Sequence, residues 1–129
     1  MRLLLDTHSF LWLRTAPARL SGAAREAIAN PENELYISVV SAWELAIKEA
    51  RGKLGFARPF EVIVPEMIAA TGASELAIER RHALRVARLP LHHHDPFDRM
   101  LIAQAQVEDL TILTADPHFR RYEVEVLAA

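Results

Sequence analysis

Apolar residues fall along the chain in short blocks whose spacing switches between the strand and helix periods. Arg2-Leu3-Leu4-Leu5-Asp6 predicts a short buried strand that ends on an acid. Residues 7–14 predict a short helix with Phe10, Leu11, Trp12 and Leu13 on its apolar side. Ser21 is placed to cap a helix carrying Ala23, Ala24, Ala27, Ile28 and Ala29, which Asn30-Pro31 stops. Residues 35–40, rich in β-branched and aromatic side chains, predict a second strand. A helix is then expected from Ser41 to about Arg51, with Gly52 as its stop.

A loop is expected over residues 53–58, followed by a helix over 59–70 that Pro65 should kink or divide. Residues 74–78 suggest a short strand and 79–87 a basic helix. A loop over 89–94 leads to Asp95-Pro96, which opens a helix ending near Asp109. Residues 110–114 form another apolar strand, closed by Asp116-Pro117, and the alternation over 123–127 suits an edge strand. Strands alternating with helices predict an α/β domain with a mainly parallel sheet. No repeat or second domain is evident, so residues 1–129 are expected to form one domain.

Composition narrows the class. A 51% hydrophobic and 25% charged chain is globular rather than disordered. With no cysteine, disulfides and thiolate metal sites are excluded. Asp6 interrupts the N-terminal apolar run too early for a signal peptide, and no uncharged run approaches the ~20 residues that span a bilayer. A soluble, cytoplasmic protein without membrane contact is the expectation. The net charge of −2 is the wrong sign for a generic nucleic-acid binder, although Arg80, Arg81, Arg85 and Arg88 cluster, as do Arg120 and Arg121. An RNA substrate would then require a local basic face or bound cations.

Four acids stand where chemistry can occur. In an open parallel sheet ligands bind beyond the carboxyl ends of the strands. Asp6 and Asp116 follow apolar strands directly, and Glu44 and Asp98 sit early in helices. Each also has a capping explanation. Ser41-Ala42-Trp43-Glu44 fits a capping box, Asp95-Pro96 and Asp116-Pro117 fit an N-cap followed by proline, and Asp6 can cap the first helix. Four carboxylates that converge repel one another unless a cation lies among them, and hard ions such as Mg²⁺ take oxygen ligands. Such a site lowers the pKa of a bound water and steadies a phosphodiester in transit.

Glu44, Lys48 and Arg51 form a polar stripe on their helix, either a solvated ion-pair face or a track for RNA phosphates. Trp43, Ala46, Ile47 and Ala50 are spaced to pack inward. His92-His93-His94 is expected to be a solvated loop, with His94 and His118 as candidate phosphate contacts beside Asp98 and Asp116.

Taken in order, Leu4-Leu5-Asp6-Thr7-His8, Ser41-Ala42-Trp43-Glu44-Leu45, the run from His94 to Ala105, and Leu113-Thr114-Ala115-Asp116 resemble PIN-domain toxins of VapC type over nearly the whole chain. The resemblance implies a three-layer α/β/α domain around a mainly parallel sheet. It also implies a Mg²⁺- or Mn²⁺-dependent endoribonuclease, the toxin of a type II toxin–antitoxin pair. Asp6, Glu44, Asp98 and Asp116 match the family's catalytic and metal-holding acids; Asp95 matches none and is read as a cap. A homodimer, a cognate antitoxin that blocks the site, and a transfer or ribosomal RNA substrate are further implications.

Two rivals remain open. One is a catalytically silent PIN-like module that binds protein, its acids serving only as caps. The other is a phosphoryl-transfer domain, which would want an acid two residues after Asp6, where this chain has His8. The glycines at 22, 52, 55 and 72 form no dinucleotide-binding turn.

Overall fold

Five short segments form one sheet: β1 (Arg2–Leu5), β2 (Glu34–Ser38), β3 (Ser74–Leu76), β4 (Thr111–Thr114) and β5 (Val126–Ala128). Their order is β3-β2-β1-β4-β5, and every neighbouring pair is parallel. The structure is a computed structural model that describes residues 1–52 and 55–129. Part of the loop expected over 53–58 therefore lies outside the described residues.

Strand residues alternate between faces, and the side chains of this sheet divide accordingly. Leu3, Leu5, Leu35, Ile37 and Leu113 join one core cluster, whereas Leu4 and Ile112 join another. Both faces of a parallel sheet must be covered, and here helices cover them. Against the first face pack Phe10 of α1 (Thr7–Thr15), Ala24 of α2 (Gly22–Ala29), Leu45 of α3 (Val39–Ala50), and Phe60 and Met67 of α4 (Phe60–Thr71). Against the second pack Leu101, Ile102 and Ala105 of α6 (Pro96–Glu108), with Leu89, Phe119 and Tyr122 from the flanking turns. The short helix α5 (Arg80–Arg85) lies beside α6, where His82 Nε2 meets Glu108 Oε1 at 2.8 Å. The architecture is the expected three-layer α/β/α sandwich, and β5 takes the expected edge position.

Several boundaries differ from the sequence reading. β2 ends at Ser38 rather than at residue 40, because the Ser38 hydroxyl accepts the Val40 N–H and starts α3 there. The buried face of α3 also differs from the expected one. Ser41 and Glu44 are buried, while Trp43, Ala46 and Ala50 face outward. Trp43 is 54% exposed and rests edge-on against Phe97, ring centres 4.9 Å apart. The expected inward face of α3 was thus the outward one, apart from half-buried Ile47.

α4 is one helix with Pro65 inside it, so the proline does not divide it. The expected strands at 74–78 and 123–127 are shorter or shifted, at Ser74–Leu76 and Val126–Ala128. At both places the ladder to the neighbouring strand, rather than local alternation, sets the bounds. Among the described residues no helix is long and apolar enough to cross a membrane.

Candidate active site

The strand order reverses at β1: the chain steps from β1 to β2 on one side, then returns to place β4 on the other. A crevice opens outside the carboxyl ends of the strands at such a switch point. Asp6 follows β1 and Asp116 lies two residues past β4, so both stand at this crevice. They line one cavity of about 410 Å³ together with His8, Trp12, Arg19 and Ala115.

Asp6 is almost wholly buried, and both of its oxygens are held. Oδ1 accepts the Ser9 N–H at 2.8 Å, which makes Asp6 the N-cap of α1, and Oδ2 accepts the Thr114 hydroxyl at 2.5 Å. Thr114 Oγ1 also accepts the Asp116 N–H at 3.1 Å, so one hydroxyl ties the two acids together. Asp116 accepts the His118 N–H at 2.9 Å and pairs with the His118 ring at 2.7 Å. Burial alone would raise the Asp116 carboxyl. The His118 N–H and ring, with the charges of His118 and His93, outweigh it and hold the carboxyl below its ordinary value.

Glu44 reaches the same rim from α3. It is not the capping-box partner of Ser41: Ser38 caps the helix, and Glu44 lies in the second turn, 5% exposed. Thr7 Oγ1 lies 2.7 Å from Glu44 Oε1 and 2.9 Å from Ser41 Oγ. The carboxylate has only acceptors, so Thr7 donates to Glu44 and accepts from Ser41. Lys48, one turn on, holds Glu44 Oε2 at 2.9 Å. The stripe therefore begins as a partly buried ion pair, not as a freely solvated face.

Asp98 is the most perturbed of the four. Asp95 caps α6 by accepting the Phe97 and Asp98 N–H groups, at 2.8 and 3.2 Å, which leaves the Asp98 side chain free of a capping role. Burial pushes the Asp98 carboxyl up to about 7, and the negative charges of Asp95, Glu44 and Asp6 add to this against the pull of a hydrogen bond from His93. Asp95 at the start of the same helix, Glu44 of α3 and Asp6 after β1 are thus close enough to Asp98 to be felt in its ionisation.

The histidine at this acid is His93, not the expected His94. His93 Nε2 lies 2.9 Å from Asp98 Oδ2, and its ring stacks on that of His118 with centres 4.7 Å apart. His94 is exposed. The Tyr122 hydroxyl accepts the His93 N–H at 2.9 Å and turns that residue inward, a tertiary contact with no local sequence signal. His93, Asp98 and Asp116 each offer a ligand atom, all within 4.8 Å of one another. Asp6 and Glu44 stand outside this tightest group, on the buried side. Thr7, Ser9 and Thr114 were missed as supporting residues; their only sequence signal is their place beside the acids.

An acid-rich oxygen donor set with one imidazole suits Mg²⁺ or Mn²⁺, and Asp98, raised first by burial and then by the charges of Asp95, Glu44 and Asp6, is an acid that a cation would help to ionise. A second group, Glu79, His82 and Glu108, also lies within ligand range at the far end of α6. It fits a metal poorly. His82 Nδ1 accepts the Glu79 N–H at 2.9 Å, so the neutral ring carries its proton on Nε2, facing Glu108, and Arg81 already bridges both glutamates.

Solved structures with this fold include chains of several complexes. A chain of DNA-bound VapBC from Salmonella typhimurium superposes with a TM-score of 0.74 at 16% identity, covering 99% of this chain and 98% of that one. VapBC2 from Rickettsia felis, bound to a promoter DNA fragment, gives 0.74 at 14% with the same coverage. VapBC-5 from Mycobacterium tuberculosis gives 0.59 at 21%, covering 98% and 96%. No curated protein matches the chain. The family model that does match is the PIN domain, over residues 3–125, and the chain belongs to the PIN-domain family.

Proposed function

We propose that this PIN domain is a metal-dependent endoribonuclease and the toxin of a VapBC-type pair, with Asp6, Glu44, Asp98 and Asp116 holding Mg²⁺ or Mn²⁺. The observation that carries the reading is Asp98. Its carboxyl is raised to about 7 by burial and by three neighbouring carboxylates, at the crevice where a parallel sheet binds ligands. An acid whose ionisation is suppressed by burial and by neighbouring carboxylates is suited to a cation.

A divalent ion held by these acids would supply an activated water and neutralise charge on the phosphodiester. The protein's part is orientation. Thr114 and the Ser9 N–H fix Asp6, Thr7 and Lys48 fix Glu44, and His118 fixes Asp116. Such supporting hydrogen bonds set the direction of metal-binding carboxylates. A cognate antitoxin, a homodimer and a cytoplasmic location belong to the same reading; VapBC complexes among the structural neighbours support the first.

The reading is tested with purified, folded protein and total cellular RNA. Cleavage should require Mg²⁺ or Mn²⁺, stop with EDTA and return when metal is restored. Absence of cleavage with either ion would sink it. The rival reading, a silent protein-binding module, draws on the capping bonds of Asp6 and Asp116 and would then stand.

A further inference from the structure

Arg19 ends a 3-10 turn (Pro17–Arg19) just after α1, and its guanidinium carbon stands 4.3 Å from the centre of the Trp12 ring. The side chain is exposed, and among the described residues no carboxylate or other acceptor meets its N–H groups. It nevertheless lines the same cavity as Asp6 and Asp116, with His8, Trp12 and Ala115 completing the walls. An unpaired cation and two of the four acids thus border the same space.

Stacking on an aromatic face leaves the donor edge of a guanidinium open and limits its freedom, which suits it to a planar or tetrahedral oxyanion. The cavity, at about 410 Å³, has room for about a dozen waters at ~30 Å³ each, more than an isolated ion needs. Two ring systems border it: half-buried Trp12 and exposed His8, centres 6.0 Å apart and tilted by 44°. Cation, aromatic rings and nucleotide-sized space are the parts of a single-strand binding subsite.

We infer that this cavity binds the nucleotide next to the cleaved bond of an RNA strand, with Arg19 on its phosphate and His8 beside its base. Trp12 is a positioning residue that braces Arg19. The inference rests on the nuclease reading only for which bond is cleaved; the binding itself does not depend on catalysis.

The test is the anisotropy of fluorescein-labelled single-stranded RNA, titrated with protein in EDTA over a series of salt concentrations. Arg19→Ala should weaken binding about tenfold, as expected for a charge-assisted hydrogen bond. It should also lower the slope of log K against log salt by ~0.7, one phosphate's worth for a single strand. Arg19→Lys keeps the charge, so the slope is retained and part of the affinity returns. Trp12→Ala weakens binding but keeps the slope, an outcome that a merely structural Arg19–Trp12 pair would not give.

Arg19→Ala with the parent's affinity and slope overturns the subsite, and so does a folded parent that binds no RNA. Cleavage in Mn²⁺ is scored separately. A parent that cuts RNA while Arg19→Ala binds unchanged costs only the subsite. A parent that binds through Arg19 and never cuts costs only the nuclease reading.

Discussion

The Thr114 hydroxyl donates to Asp6 Oδ2 at 2.5 Å, joining the ends of β4 and β1 where the strand order reverses. The bond spans 108 residues of sequence and is buried. Thr114→Val keeps the shape of the side chain but leaves Asp6 short of one donor. A loss of roughly 1–3 kcal/mol is expected from an unsatisfied buried group. RNA cleavage should fall with it, while Thr114→Ser should recover most of both. Chemical denaturation and a cleavage assay measure the two effects.

Amide substitutions separate the proposed metal role of the acids from their structural bonds. Asn replaces Asp as a cap with little loss. Asp6→Asn, Glu44→Gln, Asp98→Asn and Asp116→Asn should therefore keep the native circular dichroism spectrum. Each should lower RNA cleavage on the order of 10²–10³-fold, the range for loss of one preorganised electrostatic group. Cleavage at the parent rate by all four would mean that the acids are only structural.

Asp98 also sets a pH dependence in the absence of metal. Its folded-state value of about 7 lies above the ordinary 3.8, so the folded chain holds a proton that the unfolded chain releases. That contribution to stability is lost as pH rises through the window from about 4 to 7. Asp98→Asn removes the penalty. It should stabilise the metal-free protein more at pH 8 than at pH 5, by roughly 1–2 kcal/mol after discounting for solvent screening. Equal effects in thermal melts at the two pH values would contradict this.

Metal should relieve the same strain. Mn²⁺ at about 100 times its dissociation constant is expected to stabilise the fold by ~2.7 kcal/mol, since it binds the folded chain alone. EDTA should reverse the gain, and Asp98→Asn should abolish most of it. Calorimetry with and without Mn²⁺ provides the comparison.

The histidine run gives a position-specific contrast. His93 meets Asp98 and stacks on His118, whereas His94 is exposed. His93→Ala should weaken Mn²⁺ binding about tenfold, in line with loss of a group that supports metal ligands. His94→Ala should leave it unchanged, as isothermal titration can establish.

Part of the candidate site was readable in the chain because two of its acids follow strand ends. Asp6 and Asp116 come within two residues of apolar strand ends and act as caps as their spacing predicts. The Asp95-Pro96 start of α6 is likewise local chemistry, visible wherever it occurs. Helix α3 shows where local reading fails. Two serines three residues apart, Ser38 and Ser41, both suit an N-cap, and the helix starts at the earlier one, with Trp43, Ala46 and Ala50 outward. Only the pairing of β2 with β1 and the burial of Ser38 against Gln104, at 2.6 Å, select the earlier start.

The sequence by itself determined the element types, the parallel α/β class and the places of Asp6, Asp95 and Asp116 as caps at element ends, because periodicity, caps and turn residues act over a few positions. Tertiary structure decided what the four candidate acids touch. It brought Thr114 to Asp6, Thr7 to Glu44, His93 rather than His94 to Asp98, and Arg19 to the cavity beside them. Each of these is a contact between separate elements. Its energy depends on which helix face is buried and how the strands are ordered, and no local pattern carries either.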